Sequence, residues 1–238
     1  MARLTTSLQP GDLSINSSTA QLELGTIGET ADGRRFRYVR AGATALVPGV
    51  LYQSAAETTT WQDLDVAAAS AGATSITTTS TLTATLNQLA GGYVVVTNDS
   101  SYPGYLYKIK GNTAASAAVC TITLEEPLRK AIVGGTSSDI DIILSPYDRV
   151  EIWDYSNHDG TPVGVGVGAI TATYYGWLQV GGPAALLIDS GNITVGANVY
   201  ASAAVNGCGD ATSTYGWIGT AMTGGSSTEY AMVNLNIN

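Results

Sequence analysis

Charge is scarce in this sequence. Only 12% of its 238 residues are Asp, Glu, Lys or Arg, and ten basic against nineteen acidic residues leave a formal net charge of −9. Such a chain repels phosphates at long range, which speaks against a nucleic-acid partner. Histidine occurs once and cysteine twice. One His and two distant Cys do not furnish a zinc centre, and two Cys are too few for a disulfide framework. No run approaches the roughly 18 apolar residues of a membrane helix, and "MARLTTSLQPGD" lacks the apolar core of a signal peptide. The expectation is a soluble protein folded in a reducing cytosol, with no cofactor, metal or membrane partner. Sequons at Asn98 and Asn192 then carry no meaning.

What is abundant is Gly, Ala, Ser and Thr, arranged with a period of two. "YLYKIK" sets Tyr105, Tyr107 and Ile109 against Leu106, Lys108 and Lys110, and "DIDIIL" sets Ile140, Ile142 and Leu144 against Asp139 and Asp141. "RRFRYVR" sets Phe36 and Tyr38 against Arg35, Arg37 and Val39. In "VCTITLEE" the same alternation points Cys120, Ile122 and Leu124 inward, whereas Cys208 falls in the loop "NGCGD" and a Cys120–Cys208 bond stays open. Turn residues punctuate these runs at Asp32-Gly33, Asn98-Asp99, Pro103-Gly104, Gly111-Asn112, Asp159-Gly160, Gly181-Gly182-Pro183 and Gly224-Gly225. Many short antiparallel strands at such spacing predict an all-β fold of one or two barrel- or sandwich-like lobes with little helix. The helical candidates are "WQDLDVAAASA" and a single turn at Leu86 to Ala90. The expected organisation is a flexible arm over 1–21, an N-terminal β lobe over 22–134 and a C-terminal barrel-like lobe over 135–238.

Two internal echoes stand out. "YYGWLQVGG" from Tyr174 returns as "YGWIGTAMTGG" from Tyr215, and "RAGATALVPGVLYQSAA" from Arg40 resembles "DSGNITVGANVYASAA" from Asp189. Two copies on unmatched periods do not make a propeller. They read as repeated hairpin units, with Gly176 and Gly216 as bulge or close-approach positions and Trp177 and Trp217 packed over them.

Chemical motifs are few. His158 lies between Asp154 and Asp159 without a partner nucleophile, and no G-x-S-x-G elbow exists. Asp139 and Asp141 alternate on a strand, which describes a solvated face better than a calcium site. "GVGVGA" (164–169) matches the letters of a dinucleotide loop but runs into "ITATYYGW", which is β-branched and aromatic where a helix is required. Four of the ten basic residues, Arg34, Arg35, Arg37 and Arg40, crowd into "RRFRYVR" and are either edge-strand protection or a stripe that docks carboxylates. Tyr102, Tyr105, Tyr107, Trp153, Tyr155, Tyr174 and Tyr175 supply aromatics for a glycan-stacking surface.

Five segments carry a wider resemblance: "ADGRRFRYVRAGATALVPGVLYQ", "LAGGYVVVTNDSSYPGYLYKIKGN", "LRKAIVGGTSSDIDIILSPYDRV", "TPVGVGVGAITATYYGWLQVGGPAALLI" and "GTAMTGGSSTEYAMVNLNI". In this order they resemble capsid decoration (cement) proteins of tailed bacteriophages of the marine and freshwater type. The resemblance implies a β-rich protein without enzyme activity, made in the host cytoplasm and bound to the virion surface. Its partner would be the major capsid protein lattice, often met as a homotrimer. The Arg34, Arg35, Arg37 and Arg40 stripe, the N-terminal arm and an apolar trimer seam are the expected contacts. A glycan- or receptor-binding head or tail appendage and a tail-tube subunit are the alternatives.

Overall fold

The computed structural model describes residues 5–100, 103–157, 159–189 and 193–237. Nineteen strands follow one another among the described residues. The first four are Thr5–Leu8 (β1), Ile27–Thr30 (β2), Arg35–Arg40 (β3) and Leu51–Gln53 (β4). Eight more are Leu64–Val66 (β5), Ser75–Thr77 (β6), Leu82–Ala84 (β7), Tyr93–Asp99 (β8), Leu106–Asn112 (β9), Ala115–Ala118 (β10), Thr121–Leu124 (β11) and Gly135–Ile143 (β12). The last seven are Glu151–Ile152 (β13), Pro162–Gly166 (β14), Tyr175–Leu187 (β15), Asn198–Ala201 (β16), Gly209–Asp210 (β17), Trp217–Ala221 (β18) and Tyr230–Asn236 (β19). Helical structure among the described residues is limited to 3-10 turns at Pro10–Ser14 and Thr59–Trp61. The protein is all-β.

The chain divides into two compact units, one formed by Met1–Ala56 with Pro146–Asn238 and the other by Glu57–Ser145. This differs from a serial division at 134/135. Strands β2 to β4 belong to the same eleven-stranded sheet as β13 to β19, while β12 belongs with β5, β8 and β9. The second unit is therefore an insertion. Periodicity reports which face of a strand is buried but not which strand it pairs with, so the boundary lay beyond local pattern.

In the first unit the order is β1-β2-β3-β15-β19-β18-β16-β17, and β14, β4 and β13 branch from β15. Strand β15 carries β3 along Tyr175 to Gly181 and β19 along Gly181 to Leu187. Its middle is Gly181-Gly182-Pro183, which the sequence marks as a turn. The strand instead runs through it, because a register shift between Gln179 and Gly181 and a positive φ of 81° at Gly182 absorb the irregularity as a bulge. The stretch 1–21 is likewise not a loose arm where it is described. Thr5–Leu8 pairs in parallel with β2, Ser17 bridges Tyr175, and the Gln21 amide donates to the Tyr38 hydroxyl at 3.0 Å. Leu8 is 4% exposed and packs with Phe36, Tyr38 and Trp177. Residues 1–4 lie outside the described residues.

In the second unit the order is β5-β12-β8-β9-β11-β6, with β7 and β10 as a separate pair. The Val66↔Thr78 bridge joins the two ends of this order and closes the sheet into a barrel. The expected alternation holds: Tyr107, Ile109, Cys120, Ile122, Leu124, Ile140 and Ile142 fill the interior, and Leu106 and Val119 point out. "WQDLDVAAASA" supplies strand β5 rather than a helix, while Leu86 to Ala90 does form a turn. Asn98-Asp99 and Gly111-Asn112 end strands β8 and β9 from within. Both cysteines are buried and free.

Candidate functional site

Arg35, Arg37 and Arg40 sit on β3 and Arg34 just before it; β3 pairs with β2 on one side and β15 on the other, so it is an interior strand and not an edge. Each guanidinium already has a neighbour. Arg34 Nε meets Asp32 at 2.8 Å, and Arg35 Nη2 donates to the Asn236 side chain at 3.3 Å. Arg37 Nη1 donates to the Gly25 carbonyl at 3.0 Å and lies 5.2 Å from the centre of the Tyr147 ring. Arg40 grips buried Asp148 with two bonds of 2.6 and 2.8 Å. Burial disfavours the Arg40 charge, yet the bond to Asp148 outweighs it and lifts the guanidinium above the ordinary arginine value. Asp32, fully exposed, is held below the usual carboxylate range by the Thr30 hydroxyl and by Arg34. These contacts tie β3 to its own unit.

The loop around His158 is also structural in its described part, His158 itself lying outside it. Buried Gln53 donates to Asp159 at 2.9 Å and accepts from the Asp154 amide at 3.0 Å. Asp154 accepts from Ser156 and Asn157, and those bonds lower its pKa. Asp141 accepts from the Asp63 amide and Asp139 from the Asn98 side chain. "GVGVGA" begins within β14 as glycine-rich strand.

The aromatics divide between core and surface. Trp153 is buried, with Nε1 donating to the Ser202 carbonyl at 2.8 Å, and Tyr107 is buried in the barrel. Tyr174 packs against the Val39–Leu178 cluster, and Tyr175 stacks on Tyr38 at 6.1 Å between ring centres. Tyr155 is exposed, and Tyr102 lies outside the described residues. The paired Tyr-Gly-Trp units part company here. Trp177 is buried over Tyr38, whereas Trp217 is 45% exposed. Gly176 is a true close approach, since a Cβ there would lie 2.6 Å from Ile170 Cδ1. Gly216 adjoins the register shift between Val199 and Tyr200.

Two surfaces emerge that sequence patterns did not single out. The first lies on the outer face of β15 and β19. Ala185 pairs with Met232 and Leu187 with Tyr230, and Met222 and Thr223 both donate their amides to the Met232 carbonyl. Tyr230 (58%), Met232 (45%) and Met222 (44%) are all exposed. Tyr230 and Met232, together with Pro183 and Thr223, line an open depression of about 380 Å³ without a charged side chain. Alternation along "YAMVNLN" buries Ala231, Val233 and Leu235 and leaves Tyr230 and Met232 on the exposed face of β19. The second surface lies on the barrel, a polar recess of about 540 Å³ lined by Tyr93, Tyr105, Leu106, Lys108, Glu126 and Arg129.

Comparison with known proteins adds no relative: no protein family matches the chain, and no curated protein or solved structure does either.

Proposed function

We propose that this chain is a non-enzymatic structural protein of a tailed-phage virion, a decoration protein that docks on the major capsid protein lattice through the outer face of β15 and β19. The observation that carries the reading is the uncharged strip of Tyr230, Met232, Thr223 and Pro183 on a protein whose net charge is −9. An exposed apolar surface favours a protein partner, and methionine adapts its shape to one. The strip falls within "GPAALLI" and "GTAMTGGSSTEYAMVNLNI", two of the segments that carry the resemblance to decoration proteins. Weak contacts suffice when they repeat over a shell, and a rigid β frame loses little entropy on docking. The arginines serve the fold, so the docking surface moves from the stripe to the strip. The proposed assembly is a homotrimer on the outer capsid surface.

The test is co-sedimentation with undecorated capsids of the phage that encodes the protein. Saturable binding at a fixed ratio to the capsid protein supports the reading, and Met232→Glu is expected to weaken it at least tenfold with the fold intact. Binding that is absent, or that Met232→Glu leaves unchanged, contradicts it.

A further inference from the structure

We infer that the polar recess on the barrel binds an uncharged saccharide, with Tyr93 and Tyr105 as its stacking walls and Glu126 and Arg129 as the fork that reads its hydroxyls. Cross-strand pairing of Tyr93 with Lys108 and of Val95 with Leu106 puts an aromatic, an apolar and a cationic side chain on one outward patch of β8 and β9. Tyr105 stacks on buried Tyr107 at 6.3 Å and 25°, which fixes its ring. The opposite wall is fixed at three points. The Arg129 amide donates to the Tyr107 hydroxyl at 3.1 Å, its guanidinium lies 6.0 Å from the Tyr107 ring centre, and Nη2 reaches both Glu126 oxygens at 2.9 and 3.1 Å. Both Glu126 bonds use Nη2, so Nε–H and Nη1 remain outside that pair.

The chemistry selects the ligand. Arg129 pairs with Glu126 and Lys108 with Glu125 at 3.3 Å, so the cations of the recess are matched by carboxylates. An anion gains no net attraction there, and the −9 charge of the whole chain opposes it. A purely apolar ligand would strip water from these ion pairs and return no hydrogen bonds to them. A sugar ring fits both demands: its C–H face lies against tyrosine, and its vicinal hydroxyls donate to a carboxylate while accepting from a guanidinium. A volume of about 540 Å³ lies within the range of small-ligand sites. Because the walls are held before any ligand arrives, little ordering cost remains. The inference does not rest on capsid docking, which uses the other unit.

The experiment is saturation-transfer NMR on the full chain with methyl glycosides of glucose, galactose, mannose and N-acetylglucosamine and with glucuronate, each up to about 10 mM, where weak millimolar binding registers. Transfer from at least one neutral glycoside is expected, falling tenfold or more in Tyr93→Ala and in Arg129→Ala and unchanged in Tyr155→Ala. Should Tyr93→Ala melt early, the exposed Arg129→Ala carries the comparison alone. Silence from every neutral sugar, transfer from glucuronate only, or transfer that survives Arg129→Ala overturns the inference.

Discussion

Single residues set sharp conditions on this fold. Gly49 has a φ of +75°, and a Cβ there would lie 2.4 Å from Tyr230 Cε1. Gly49→Ala therefore combines backbone strain with a displaced ring, and chemical denaturation should show a loss of about 1–3 kcal/mol. Asp148 is reached by Arg40 from a strand 108 residues away. Asp148→Asn removes one charge of a largely buried pair, and a loss of about 2 kcal/mol is expected in the same assay. Four arginines in seven positions give no sign of these contacts, since nothing local reveals Asp148, Gly25 or Asn236. The Cys208 thiol adds a pH signature. Burial, with Asp189 nearby, raises Cys208 from its ordinary 9.0 to about 11. The folded state thus keeps a proton that the unfolded chain releases, so this contribution is complete below about pH 9 and fades as pH rises toward 11. Wild type should lose more stability than Cys208→Ala between those values. Burial raises Tyr52 as well, but that effect is common to both proteins and cancels in the comparison.

At the scale of elements, β1 shows how much a short polar strand holds. Its Leu8 closes the cluster of Phe36, Tyr38 and Trp177. Deleting residues 1–20 should cost roughly 2–4 kcal/mol from that burial and the strand pairing, and should shift tryptophan emission to the red. The sequence reads "TTSL" as featureless because one leucine has no period. By contrast, alternation alone sets Ile140 and Ile142 on one face of β12, and Tyr107 and Ile109 on one face of β9, and all four are buried. Strand β15 fell between these cases. Tyr-Gly-Trp announced its start, but Gly-Gly-Pro announced an end that the bulge at Gly182 overrides. The candidate surfaces were harder still. The strip joins Pro183 to Tyr230, and the recess joins Tyr93 to Arg129, so each depends on pairing that no local pattern encodes.

For the whole molecule, the insertion of Glu57–Ser145 is the organising fact. The two ends of its sheet meet at Val66↔Thr78, and its interior is lined by its own residues. The excised segment 57–145 should fold alone, with a β-type circular dichroism spectrum and one cooperative thermal transition; a random-coil spectrum would contradict that. The other unit then carries the docking strip, so shell binding and sugar binding are separable in one chain. The central claim is the docking. Its most direct measurement is the number of copies that co-sediment per undecorated capsid as the protein is titrated, for wild type and Met232→Glu. The account predicts a plateau at a fixed ratio to the major capsid protein for wild type and at least tenfold weaker binding for Met232→Glu. No plateau, or identical curves for the two proteins, would contradict it.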